Sequence, residues 1–180
     1  MKKYPTVLDC IAGEFPKKGI PFVLVGGFAV NAYGYSRNTQ DVDFMIDEKN
    51  YPRALKLLIE GGCKELIKTE MFAKFESPKG YPREADLLFV DSMTFAGILK
   101  SGTQIKIAGY ECFIPSVRHL IAMKLHAIKN NPAKRESKDL LDILELVKLH
   151  HIDVLSDDFK ELCLKFGHDA LYKKITDYSK

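Results

Sequence analysis

Three short stretches of this chain carry residues whose types and spacing could do chemistry. In D-V-D-F-M-I, which starts at Asp41, alternate side chains of an extended strand point the same way, so Asp41, Asp43 and Met45 share one face and Val42, Phe44 and Ile46 the other. Further on, R-E-A-D-L-L-F-V-D, Arg83 to Asp91, sets one acid, Asp86, inside an apolar run. An acid in that setting is costly unless it is paired or metal-bound. Carboxylates brought together from two such strands could hold one or two hard divalent cations, Mg²⁺ or Mn²⁺, which prefer oxygen ligands, clamp phosphates and activate an attacking hydroxyl. The third stretch, F-V-L-V-G-G, ends an apolar run on Gly26-Gly27, where missing side chains let backbone N–H groups come close to an anion. Neither a G-K-[ST] nor a G-x-G-x-x-G pattern follows, so this is not a Walker A loop or a dinucleotide fingerprint.

The elements that must position these residues can be read from periodicity. Thr6 to Lys18 has apolar residues at helical spacing, Phe22 to Val25 is a strand, and Phe28 to Tyr33 resumes as a helix after the glycine turn. The Asp41 strand precedes a helix from Tyr51 with Pro52 in its first turn and Gly61-Gly62 at its end. Short strands are expected about Phe72 to Glu76. Thr103 to Ile107 and Tyr110 to Ile114 alternate about Ala108-Gly109 as a hairpin, and Pro115 ends the sheet. Three helices then follow, from Ser116 to the Asn130-Asn131-Pro132 stop, from Ser137 to about Leu149, and from Asp157 to Phe166. The expected fold is α/β (α+β), a mixed sheet flanked by helices over 1–114, with a C-terminal helical segment over 115–180 packed on it.

Bulk properties agree with an ordinary soluble globular chain and exclude few classes. The 180 residues suffice for one sizeable core, and 46% hydrophobic with 28% charged residues is ordinary globular composition. A net charge of +3 permits an anionic substrate but does not by itself indicate a nucleic-acid binder. Cys10, Cys63, Cys112 and Cys163 form no C-x-x-C pair, which suits free buried thiols in a reducing compartment. With no signal-peptide core and no apolar run near membrane-spanning length, a cytoplasmic location without membrane association is expected.

The order of these motifs resembles the polymerase-beta-type nucleotidyltransferase superfamily: a strand ending in Gly-Gly, a helix, a D-x-D strand, and a strand with one more acid. More narrowly, L-V-G-G-F-A-V-N-A-Y-G-Y-S-R-N-T-Q-D-V-D-F is similar to the AbiEii-like toxin nucleotidyltransferases, with their G-G... R-x-T-x-D-[IV]-D-F signature. M-K-L-H-A from Met123 and R-E-S-K-D-L-L-D from Arg135 resemble that group's K-L-x-A... R-x-x-K-D-x-x-D pattern. The resemblance runs from about Pro21 to about His150. It differs at Gly27, where many superfamily members carry a serine.

That resemblance implies a nucleotidyltransferase fold, with Asp41, Asp43 and Asp86 as catalytic and metal-binding acids for Mg²⁺ (or Mn²⁺). It implies transfer of a nucleoside monophosphate from an NTP to an acceptor hydroxyl, on RNA, tRNA in particular, or on a protein. A toxin role would add an antitoxin protein as partner. Gly26 and Gly27 would cradle phosphate, Arg37 and Thr39 would lie beside the metal, Lys124 would neutralise triphosphate, and Asp139 would pair with Lys124. Each residue also has a plainer reading: a solvated strand end for Asp41 and Asp43, a strand-edge acid paired to Arg83 for Asp86, and a tight turn for the glycines. For Arg37 and Lys124 it is a surface cation, for Thr39 a turn cap, and for Asp139 and Asp142 a polar helix stripe. A non-catalytic nucleotide- or partner-binding module on the same fold, and an aminoglycoside- or small-molecule-modifying transferase, are the competing functions.

Overall fold

The computed structural model describes residues 4–79 and 83–178. The chain divides into two units, one running through Ala29 and continuing over Arg37–Ser116, the other made of Val30–Ser36 and the residues from Val117 onward. Val30–Ser36, seven residues that follow soon after the two glycines, group with the helices. His150 shows why. Its ring meets Tyr33 edge-on at 5.3 Å and its Nε2 lies 3.2 Å from the Tyr33 carbonyl oxygen.

The sheet unit starts with α1 (Val7–Glu14), opened by a capping box in which the Thr6 hydroxyl accepts from the Asp9 N–H and the Asp9 carboxylate accepts from the Thr6 N–H. The apolar pattern to Lys18 predicts a longer helix. Pro16 stops it, because proline lacks the N–H that the next helical turn needs, and a 3₁₀ turn (Pro16–Lys18) with Gly19 at φ 63° follows.

Among the described residues seven strands form one sheet: β1 (Val23–Val25), β2 (Val42–Asp47), β3 (Lys64–Lys68), β4 (Phe72–Glu76), β5 (Glu84–Val90), β6 (Thr103–Ile107) and β7 (Tyr110–Ile114). Their order is β3-β4-β5-β2-β1-β7-β6. The β2–β5 and β1–β7 pairs are parallel and the rest antiparallel. Helix α2 (Gly26–Ala32) begins on the glycines themselves, α3 spans Tyr51–Glu60, and α4 spans Ser92–Ser101.

Alternation gives the sheet two unlike faces. Phe22, Leu24, Phe44, Phe75 and Leu87 are buried on one, where Phe22 stacks edge-on with Phe15 of the chain just after α1 at 6.3 Å and with Phe44 at 5.7 Å. Val7 and Ile11 of α1 and Leu58 of α3 complete this core. The opposite face carries Asp43, Lys74, Glu84 and Asp86, all half-buried.

Two elements here lie outside the sequence expectation. Strand β3, K-E-L-I-K, is a charged sheet edge whose pattern carries little apolar signal, as edges that must avoid pairing with other chains commonly do. Helix α4 is marked only by its cap, for Asp91 accepts from the Met93 and Thr94 N–H groups at 2.9 Å each.

In the helical unit, α5 covers Val117–Asn130, α6 Pro132–Leu149, α7 Asp157–Phe166 and α8 Asp169–Tyr178. Helix α6 opens five residues before the expected Ser137, since Pro132, read as a stop, fits the first turn of the next helix, where its missing N–H costs nothing. Helix α8 was not foreseen. None of the described helices is long and apolar enough to cross a membrane.

Candidate functional site

Strand pairing brings the two predicted acid strands side by side. In the parallel β2–β5 ladder Asp43 is registered directly opposite Asp86, and Val25, the last residue before the glycines, is registered opposite Asp43 on β1. Adjacent strands are about 4.8 Å apart, and registered residues project to the same face. The two carboxylates are therefore sheet neighbours. Asp41 sits just before β2, two residues from Asp43, and its carbonyl accepts from the Thr39 hydroxyl at 3.1 Å.

The glycines serve these side chains. Gly26 has φ 61°, a conformation that strains any residue with a Cβ, and a Cβ placed there would lie 1.8 Å from Asp43 Oδ2. At Gly27 a Cβ would fall 2.6 Å from Thr39 Oγ1 and 3.1 Å from Arg37 Nη1. Glycine at 26 thus admits the Asp43 carboxylate, and glycine at 27 admits Thr39 and Arg37. The Thr39 hydroxyl crowds the place where a serine side chain would begin, which explains the departure from the Gly-Ser pattern in steric terms. Arg37 also donates to the Asn38 carbonyl at 3.3 Å.

One residue of this cluster lies outside the sequence expectation. Lys74 on β4 is registered opposite Asp86, and its Nζ lies 3.3 Å from Asp86 Oδ1 and 3.1 Å from Glu84 Oε2. Burial works against its charge, but hydrogen bonding and charge from Glu84 and Asp86 outweigh that and hold the ammonium above the usual lysine pKa. The alternation F-A-K-F-E could have flagged Lys74 as facing away from Ala73 and Phe75; only the sheet order shows which acid it meets. Arg83, the partner considered for Asp86, instead pairs with Glu76, its Nη2 2.9 Å from Oε1.

Among the described residues no group of three or more His, Cys, Asp or Glu side chains converges as a ready metal cage. Mg²⁺ does not require one: it keeps several waters and is commonly held by one or two carboxylates plus substrate phosphates. Asp43 and its registered neighbour Asp86 are two such carboxylates.

Lys124, Asp139 and Asp142 lie in the helical unit and form a group of their own. Lys124 Nζ on α5 donates to Asp139 Oδ1 at 2.8 Å and to Asp142 Oδ2 at 2.5 Å on α6, with all three side chains nearly inaccessible. The expected Lys124–Asp139 pair is present. The plainer readings, a surface lysine and a polar helix stripe, do not hold, because these groups are buried between two packed helices.

No protein-family model matches the chain, and no curated protein matches it significantly. Solved structures do. It is similar to the antibiotic-resistance factor ANT(2'')-Ia, with TM-score 0.65 and 14% identity over 95% of this chain and 94% of that one. An antigenic nucleotidyltransferase-like protein from Paracoccidioides brasiliensis gives TM-score 0.60 and 18% identity, over 96% and 88% of the two chains. The lincosamide antibiotic adenylyltransferase LnuA gives 0.56 and 13%, over 77% and 93%. With its mixed sheet and flanking helices, this chain has the nucleotidyltransferase fold.

Proposed function

We propose that the protein is a divalent-metal-dependent nucleotidyltransferase that moves a nucleoside monophosphate from an NTP to an acceptor hydroxyl. The observation that carries this reading is the register of Asp43 opposite Asp86, with the Asp43 carboxylate seated over Gly26. Asp41 and Asp43 would hold Mg²⁺ or Mn²⁺, which when bound would neutralise phosphate charge and lower the pKa of the attacking hydroxyl. Asp86, one strand over, would join them as the third metal acid, orient that hydroxyl and accept its proton. Backbone N–H groups of Gly26 and Gly27 would contact phosphate, with Arg37 supplying a planar cationic fork and Thr39 a hydroxyl. Lys124 and Asp139 join the nucleotide-binding set on the strength of the AbiEii-like motif they match.

Within this reading the acceptor would be RNA, tRNA in particular, or a protein; a toxin role, which the AbiEii-like resemblance suggests, would place the chain in the cytoplasm with an antitoxin protein as partner. A small-molecule acceptor is the variant favoured by the near full-length likeness to ANT(2'')-Ia, a protein also solved with adenylyl-2''-tobramycin. The test is incubation with each labelled NTP and Mg²⁺ in the presence of total RNA, cell lysate or an aminoglycoside, beside Asp43→Ala. Label transfer to one acceptor, lost in the variant and on chelation, is the expected result.

A second reading is a module that keeps the fold and binds nucleotide without turnover. The Lys74–Asp86 ion pair favours it, since it already engages the third acid. Nucleotide binding with no transfer to any of the acceptors would decide for it.

A further inference from the structure

Lys74 has two carboxylates within reach on β5, two residues apart and on the same face. Asp86 Oδ1 is 3.3 Å from its Nζ and Glu84 Oε2 is 3.1 Å away, with Glu84 the more exposed of the two. Asp86 in turn is the registered neighbour of Asp43. Four positions thus run in one row across three strands and the turn behind them: Gly26 under Asp43, then Asp86, then Lys74. An ammonium at one end of such a row and a dication at the other compete for the carboxylate between them, because like charges sharing one ligand repel across a few ångströms of partly buried space.

We propose that Lys74 is a positioning residue that competes with the divalent cation for Asp86, releasing this carboxylate by turning wholly to Glu84. Asp86 then serves the metal side of the site only when the cation outbids the lysine, and Glu84 keeps the displaced ammonium neutralised. This accounts for two acids, Asp43 and Asp86, that are registered neighbours in the sheet yet are not gathered with a third as a cage. The inference rests on the metal-dependent reading of Asp41 and Asp43.

Titration of the full chain with Mn²⁺ alone, following free Mn²⁺ by electron paramagnetic resonance, tests it. Lys74→Met is expected to tighten Mn²⁺ binding about fivefold, the size of one partly screened ion pair, while Lys74→Arg stays near the parent value. The gain should vanish when Asp86→Asn is added to Lys74→Met. Lys74→Gln is the second variant should the methionine perturb folding, with circular dichroism confirming the fold of each. Unchanged or weaker Mn²⁺ binding in both neutral variants, beside normal binding by the parent, overturns the role of Lys74 and leaves the metal site standing. A gain that persists without Asp86 also overturns it, since that is a general field effect and not competition for one carboxylate. Absence of Mn²⁺ binding in the parent and in both variants overturns the metal reading and the inference together.

Discussion

The Asp43 carboxylate occupies the volume that a side chain on Gly26 would need. A Cβ on residue 26 would lie 1.8 Å from Oδ2, and the backbone there has φ 61°. Gly26→Ala therefore combines backbone strain with displacement of the acid, and is expected to lower stability by about 1–3 kcal/mol. Urea unfolding midpoints would show this. Transfer activity is expected to fall as in Asp43→Ala, because the acid is moved even though it is still present.

Gly27 and Thr39 should be coupled. Restoring a serine at 27 brings its Cβ within 2.6 Å of Thr39 Oγ1 and 2.8 Å of Thr39 Cβ. Gly27→Ser is expected to destabilise by about 1–3 kcal/mol through overpacking. Thr39→Gly removes both atoms, so the same serine should cost clearly less in that background. A double-mutant cycle by chemical denaturation measures the difference, and strict additivity would refute the steric account.

The buried triad in the helical unit also bears on stability. Asp142 is fully buried against Lys124, which also meets Asp139. Asp142→Ala removes one partner from a buried charge, a change that typically costs about 3–5 kcal/mol. Thermal or urea unfolding would report it. A loss below that of an exposed control such as Lys173→Ala, whose pair with Asp169 lies in solvent, would show the triad to be energetically idle.

All four cysteines are free and buried. Burial pushes the Cys112 thiol up to about 11 and that of Cys163 up to about 12, from an ordinary 9.0. Both should stay unreactive towards a disulfide reagent in the native protein at about pH 8, since the thiolate is the nucleophile. Denaturation should expose them. Because these folded-state values are raised, their contribution to stability is intact below pH 9 and is lost as the pH rises through 11 and 12. Melting temperatures measured across that alkaline range should fall, and Cys163→Ala should flatten part of the decline.

Legibility from sequence followed the range of the interactions involved. The hairpin of β6 and β7 was readable because its turn is local: Ala108 and Gly109 both take positive φ, 48° and 86°, between two alternating runs. The β2 and β5 acids were readable as inward-breaking charges in apolar strands, and Asp157–Phe166 as a capped, periodic helix. Helix α8 was as legible as that one, for Leu171, Ile175 and Tyr178 keep helical spacing, although it lies outside the expectation; the charged edge β3 was not, for it puts no strong apolar rhythm on the chain.

Strand and helix periods, the turn glycines and the placing of acids within apolar runs are legible in the residue order, since each depends on residues a few positions apart. Tertiary packing sets Asp86 beside Asp43, brings Lys74 and not Arg83 to Asp86, and encloses Lys124 between two aspartates. Those facts depend on which strands or helices become neighbours and in what register. Neighbour choice is set by burial summed over the whole sheet or bundle, and no local spacing encodes it.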